Sequence, residues 1–244
     1  MSKIEDYKQT LQTLNDWAPF LKKNSGLPGP RGNLELAYAV AETGTQKQFE
    51  HFLTLDGKEN TPEVFVIFCG IVGLGKLAAS TPELFACVRP YASDLRWRIR
   101  EAVPTGLQLT CDQDMDLLIN EMKTWRNGNW YEKRAAAATL AEPRLLKQPK
   151  HAKQVLQILD KITASMQTDK TSKDVSYKVL RQGMGYCWSV AVAALPESGK
   201  LIMEKWLHSE DKDIRWMMKE NLKKNRLTRM DVNWVKECME KLEP

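Results

Sequence analysis

The residues best suited to chemistry are aromatic and basic side chains that follow a recurring four-residue phrase. The phrase begins with Asp or Asn, has an aromatic residue in fourth place, and occurs at 94–97, 127–130, 174–177 and 213–216. Exposed aromatic rings can stack on bases or grip a peptide, and Arg and Lys bind phosphates and carboxylates. The candidate binding residues are Trp97, Arg100, Trp130, Arg134, Arg181, Arg215, Trp216 and Lys219.

Each of these side chains also has a purely structural interpretation. A repeated aromatic residue can fill the space between neighbouring repeats, and a repeated Arg can pair with an Asp of the next repeat or remain solvated. Both interpretations stay open at the level of the sequence.

Signals for catalysis, metals or cofactors are weak, and we predict none of the three. The histidines His51, His151 and His208 lie far apart on polar segments, which favours neither a metal site nor a nucleophile pair. The glycines of 70–75 have no preceding strand and no following Lys-Ser/Thr pair, so they indicate close helix packing rather than a phosphate loop. The Pro- and Gly-rich segment 25–32 predicts a rigid connector, although its amides and Arg31 could hold an anion.

Composition restricts the cellular setting more than the activity. The net charge of +5 permits an anionic partner without requiring one. The five cysteines are widely spaced and odd in number, which is typical of free thiols in a reducing compartment. No apolar run is long enough to span a membrane, and the polar first ten residues do not resemble a signal peptide. We therefore predict a cytoplasmic protein without membrane contact.

The elements that carry the candidate residues are predicted to be helices. Apolar residues recur with spacings of three and four through most of the chain, and no segment alternates as a strand would. The fourth-place aromatics recur at intervals of about 40 residues, a period typical of solenoids built from helix pairs. The sequence therefore predicts an all-α protein of roughly a dozen helices.

Two segments resemble the second helix of HEAT repeats: 94–103, which reads Asp-Leu-Arg-Trp-Arg-Ile-Arg-Glu-Ala-Val, and 213–222. The HEAT pattern places a basic residue several positions after the Asp, as at Arg100 and Lys219, with Lys133 at the same offset. In the 174–190 segment the basic residue is displaced to Arg181. The resemblance implies a right-handed, armadillo-like α-α superhelix of about six helix pairs.

On this interpretation residues 1–244 form a single domain. Residues 1–80 would be less regular helix pairs, 81–227 the clearest repeats, and 228–244 a C-terminal capping helix. Basic residues outnumber acidic ones along the predicted second helices but not along the first. The second helices of HEAT proteins line a concave face, so the resemblance implies a basic concave surface.

The predicted function is a non-catalytic scaffold that holds a protein or nucleic-acid partner on this face. A weaker resemblance, to the HEAT-like alkylpurine DNA glycosylase superfamily, implies as an alternative a DNA-repair enzyme or branched-DNA binder. The catalytic segment of that superfamily, a Trp pair followed closely by Asp, has no match here, and the nearest cluster at 125–130 carries no carboxylate. An assembly scaffold for an acidic protein segment is a third possibility, and the oligomeric state stays open.

Overall fold

The computed structural model describes residues 2–169 and 174–242, and every regular element in them is a helix. The all-α prediction is therefore confirmed. The chain divides into two compact units, residues 1–114 (unit 1) and 115–244 (unit 2). Among the described residues, no helix combines the length and apolar character needed to cross a bilayer.

The described residues of unit 1 form seven α-helices and a 3-10 helix at Arg89–Ser93. The α-helices are α1 (Lys3–Gln12), α2 (Ala18–Lys23), α3 (Leu34–Thr43), α4 (Gln46–Leu53), α5 (Pro62–Leu77), α6 (Leu84–Val88) and α7 (Trp97–Cys111). Each of α1, α3, α5 and α7 packs against the next in this series, while α2, α4 and α6 pack on α5. The alternate helices of unit 1 are therefore neighbours.

Helix α5 forms the core of unit 1. It is apolar nearly all round, as the sequence predicts, and it is buried without interruption from Val64 to Gly75. Gly75 and Gly106 let α5 and α7 approach closely, since a Cβ atom on Gly75 would lie 2.8 Å from the carbonyl carbon of Gly106. The Thr110 hydroxyl donates to the Gly75 carbonyl across the same contact.

In unit 2, residues 115–169 and 174–242 form eight α-helices and a 3-10 helix at Pro143–Leu145. The α-helices are α8 (Met115–Trp125), α9 (Trp130–Leu140), α10 (Pro149–Thr168), α11 (Val175–Ala194), α12 (Pro196–Leu207), α13 (Lys212–Leu222), α14 (Asn225–Met230) and α15 (Val232–Glu240). Helix α11 packs between α9 and α13, and α10 packs between α8 and α12. Two series of alternate helices result, as a two-helix period predicts.

The helix-opening phrase does not play the same part in all four places. Asp174 caps α11 as predicted, since its carboxylate accepts from the Tyr177 amide. In the second and fourth phrases another residue is the cap: Asn129 caps α9 and Asp211 caps α13. Asn129 and Asp211 each lie directly before the first helical residue, where the side-chain oxygen reaches the free amides of the first turn.

The first phrase also departs from the prediction. Helix α7 begins at Trp97, and Asp94 lies too early to cap it. The Asp94 carboxylate instead accepts from the Arg96 amide and guanidinium.

The predicted C-terminal capping helix, residues 228–244, corresponds to the end of α14 and to α15. The structure describes this segment to residue 242, and residues 243 and 244 lie outside the described residues.

Candidate functional site

A cluster of cationic side chains lies in unit 2 at the junction between α13 and α14. The basic cluster consists of Lys223, Lys224, Arg226 and Arg229, and it surrounds Tyr186 of α11 in a shallow concavity of about 420 Å³. Tyr186 is 42% exposed. Arg226 donates to the Tyr186 hydroxyl at 2.5 Å, and its guanidinium carbon lies 4.7 Å from the ring centroid.

The charge of the basic cluster is poorly compensated by its surroundings. Lys223 forms an ion pair with Glu220 at 2.5 Å, and both side chains are partly exposed. Within the described residues, no carboxylate oxygen comes within 4 Å of the other three cations. Repulsion among these cations decreases when an anion binds, so the cluster is suited to phosphates or carboxylates.

A fully buried amide positions the basic cluster beside Tyr186. The Asn221 side chain accepts from the Ser189 amide and donates to the carbonyls of Met184 and Met217, each at 2.8 Å. The bonds to Ser189 and Met184 join α11 to α13 two residues before Lys223, and the bond to Met217 lies within α13. Tyr186 lies between two of the bonded positions on α11, so the amide bridge places its ring next to the end of α13.

Two of the predicted binding residues stack on each other next to an ion pair. The Arg181 guanidinium lies 3.7 Å from the Trp216 ring centroid, and its Nε is 2.8 Å from Asp213. The buried Tyr177 hydroxyl donates to the same carboxylate at 3.2 Å. Burial, reinforced by Asp213, raises the pKa of Tyr177 well above its ordinary value. Arg181 thus joins α11 to α13.

Trp130 is buried, and its ring meets Tyr177 edge-on at 5.4 Å between centroids. Lys133 lies over the same indole ring at 4.0 Å, and burial lowers the pKa of its ammonium group. Arg134, one residue on, packs over α11, where a Cβ on Gly183 would lie 3.3 Å from its Cγ. Trp130 therefore contributes to helix packing, which is the structural role that the sequence leaves open as an alternative for the repeated aromatic residues.

Arg215 and Lys219 differ in their surroundings although both lie on α13. Arg215 donates to the carbonyls of Leu207 and Leu242 at 3.1 and 2.9 Å, which ties α13 to the last residue of α12 and to the turn after α15. Lys219 is partly exposed, lies one turn before Lys223, and has no ion pair with any described residue. Lys219 extends the basic cluster along α13, whereas the Arg215 guanidinium is hydrogen-bonded to backbone carbonyls.

The two candidate binding residues of unit 1, Arg100 and Trp97, also differ in their surroundings. Arg100 donates to the backbone carbonyls of Asp94 and Leu95 at 2.7 and 2.8 Å, and so holds the turn that precedes α7. Trp97 is 44% exposed, and the Arg98 guanidinium lies 4.4 Å from its ring centroid. Trp97 borders a concavity of this unit.

That concavity, here called the aromatic groove, has a volume of about 770 Å³. Helices α1, α3, α5 and α7 and the loop at 27–32 form its walls. Its rings are Tyr38, Phe65, Phe68 and Trp97, and its charged residues are Arg31, Glu35, Arg98 and Glu101. The rings of Phe65 and Phe68 are nearly parallel, with centroids 6.1 Å apart.

Both surfaces contain residues that the repeat pattern does not single out. The four cations between 223 and 229, without an acid among them, were the one available sequence signal for the basic cluster. Nothing in the sequence brings α3, α5 and α7 together around a groove. No group of His, Cys, Asp or Glu in the described residues is arranged to hold a metal ion.

Comparison with known proteins does not place the chain in a family. No family model, no curated protein and no solved structure matches it.

Proposed function

We propose that the chain is a HEAT-like, non-catalytic binding scaffold that holds the phosphate backbone of a nucleic acid on the basic cluster of unit 2. The observation that carries this proposal is the grouping of Lys224, Arg226 and Arg229 beside a half-exposed tyrosine, with no carboxylate oxygen of a described residue within 4 Å of these three cations. Phosphate backbones are recognised mainly by Lys and Arg, and an exposed aromatic ring can stack on an unpaired base.

The proposal keeps part of the predicted surface and reassigns the rest. Lys219 stays a binding residue because it extends the basic cluster by one helical turn. Arg100, Arg181 and Arg215 hold carbonyls or a carboxylate, so their substitution should destabilise the fold before it alters binding. Trp97, Trp130, Arg134 and Trp216 lie outside the basic cluster.

The size of the cluster sets the expected salt dependence. If all four cations contact phosphates, the logarithm of the association constant should fall with the logarithm of the salt concentration with a slope of about −3.6 on duplex DNA, or about −2.8 on single strands. Fluorescence polarisation with labelled duplex, branched and single-stranded DNA across a salt series measures this slope.

The decisive variant combines Lys224→Glu and Arg226→Glu. We expect it to weaken DNA binding by about tenfold or more and to lower the salt slope by roughly two. The matched control combines Lys153→Glu and Lys161→Glu, which produces the same charge change on two exposed residues of α10. Lys219→Glu should give an intermediate loss.

Three results would redirect the proposal. Equal weakening by the cluster variant and the α10 control would remove the basic cluster as the site. Binding of poly-L-glutamate, with no DNA or RNA bound at low salt, would make the partner an acidic protein segment. Release of alkylated bases from methylated DNA would establish the enzymatic alternative.

A further inference from the structure

The aromatic groove of unit 1 has the dimensions and lining of a small-molecule site. Its volume of about 770 Å³ lies within the usual range for organic ligands, and its wall is mostly apolar. Leu34 and Trp97 in this wall are 43% and 44% exposed, so the groove presents adjoining apolar surface to solvent. An apolar ligand would cover both of them.

A buried cation lies in the same wall. Arg98 is 7% exposed, and it donates to the Asn60 side chain at 2.8 Å and to the Gly29 carbonyl at 3.0 Å. The nearest carboxylate oxygen, on Glu59, is 3.8 Å from its Nε. A guanidinium has five N–H donors, so three of them have no acceptor among the described residues. A buried guanidinium with donors to spare is suited to a carboxylate.

Two charges of opposite sign lie at the rim of the groove. Arg31 and Glu35 are both exposed, and neither has an ion-pair partner within 4 Å among the described residues. Glu101, one turn after Arg98, has an interaction of its own. The rim therefore provides one cation that would attract an anionic ligand and one carboxylate that would repel it.

We propose that the aromatic groove binds an apolar carboxylic acid, whose carboxylate pairs with Arg98 and Arg31 while its hydrocarbon body lies against Phe65 and Phe68. The assignment depends on the buried guanidinium, because the rings alone would accept an apolar molecule of any charge. It is independent of the basic cluster, which lies in unit 2.

Isothermal titration calorimetry with dodecanoate, compared with dodecyltrimethylammonium, tests the charge preference of the groove in the full-length protein. We expect saturable binding of dodecanoate with one molecule per chain, and affinity at least tenfold weaker for the cationic amphiphile. Equal or tighter binding of dodecyltrimethylammonium would overturn the proposal, as would the absence of saturable dodecanoate binding.

Two rim variants form a matched pair with opposite expected signs. Arg31→Gln should weaken dodecanoate binding by roughly threefold and Glu35→Gln should strengthen it by a similar factor, because each removes one exposed charge at the mouth of the groove. Both side chains are exposed and form no ion pair with a described residue, so neither change should alter the fold. Equal effects of the two variants would contradict a carboxylate at this end.

A third variant tests the location. Gly32 faces the groove, and a Cβ there would lie 3.5 Å from the Phe65 ring, an ordinary contact. Gly32→Leu should therefore fill the groove without strain, abolish dodecanoate binding, and leave the circular dichroism melt unchanged. Unaltered dodecanoate affinity in this variant would place the ligand elsewhere and refute the assignment.

Discussion

The buried Asn221 bridge allows the sharpest prediction about how unit 2 holds its basic cluster. Replacing Asn221 by Leu removes all three bonds between the amide and the backbones of α11 and α13. It also leaves the Ser189 amide and the Met184 carbonyl without the side-chain partner that they have in the native protein. Asn221 is 0% exposed, so water has no direct access to replace the amide.

The expected loss follows from the number of bonds. At about 1 kcal/mol for each hydrogen bond, Asn221→Leu should lower the free energy of unfolding by about 3 kcal/mol. In a protein of this size a loss of 3 kcal/mol corresponds to a decrease in Tm of roughly 6–12 °C. Asn221→Asp should be at least as damaging at neutral pH, since it would hold a carboxylate against the carbonyls of Met184 and Met217.

Urea unfolding followed by circular dichroism measures the loss, and Asn233→Leu is the matched control. Asn233 is exposed on α15, so its replacement should change stability by less than about 0.5 kcal/mol. If the two Leu variants were equally stable, the amide bridge would contribute nothing and the explanation for the position of Tyr186 would be wrong.

Two further predictions concern unit 1. Gly75→Ala should lower the Tm, because the new Cβ would lie 2.8 and 2.9 Å from backbone atoms of Gly106 and separating α5 from α7 costs about 1–3 kcal/mol. Gly183→Ala is the control, since its Cβ would meet only the flexible Arg134 side chain. Equal Tm values for the two variants would contradict the close approach of α5 and α7. Burial opposes ionisation of Asp94, but hydrogen bonds from Arg96 prevail and lower its pKa below 3.8. Since the folded-state pKa is the lower one, the carboxylate stabilises the fold above about pH 4 and this contribution is lost on acidification. The stability difference between the wild type and Asp94→Asn in urea should therefore shrink below pH 3.8, and a difference independent of pH would show that Asp94 does not stabilise the fold through its charge.

Local signals were enough to predict several individual elements. Asn33 caps α3 through its side chain, and α5 begins at Pro62 directly after Thr61, both as predicted. Each of these features depends on residues within one helical turn, where side-chain type and backbone geometry are directly linked. The displaced caps at Asn129 and Asp211 show the limit, because two Asx residues two positions apart each offer an acceptor.

The contacts of the candidate binding residues were harder to predict, because Arg and Lys side chains are long enough to reach several different partners. Arg181 stacks on Trp216 and pairs with Asp213, whereas Arg226 has no described carboxylate oxygen within 4 Å and donates to the Tyr186 hydroxyl. Neither local sequence specifies which group the guanidinium meets. Which carboxylates and carbonyls come within reach depends on contacts 30 or more residues away.

The sequence by itself determined the helical class and the alternation of helices in pairs, since spacings of three and four and helix-start residues act over short distances. Only the tertiary structure decided which cations stay available to a ligand. The availability of a charge depends on the groups that packing brings near it. Carbonyls accept hydrogen bonds from Arg215, and Asp213 pairs with Arg181, but no described carboxylate oxygen lies within 4 Å of Lys224 or Arg229. The aromatic groove likewise depends on tertiary packing, because its walls come from α1, α3, α5, α7 and the loop at 27–32.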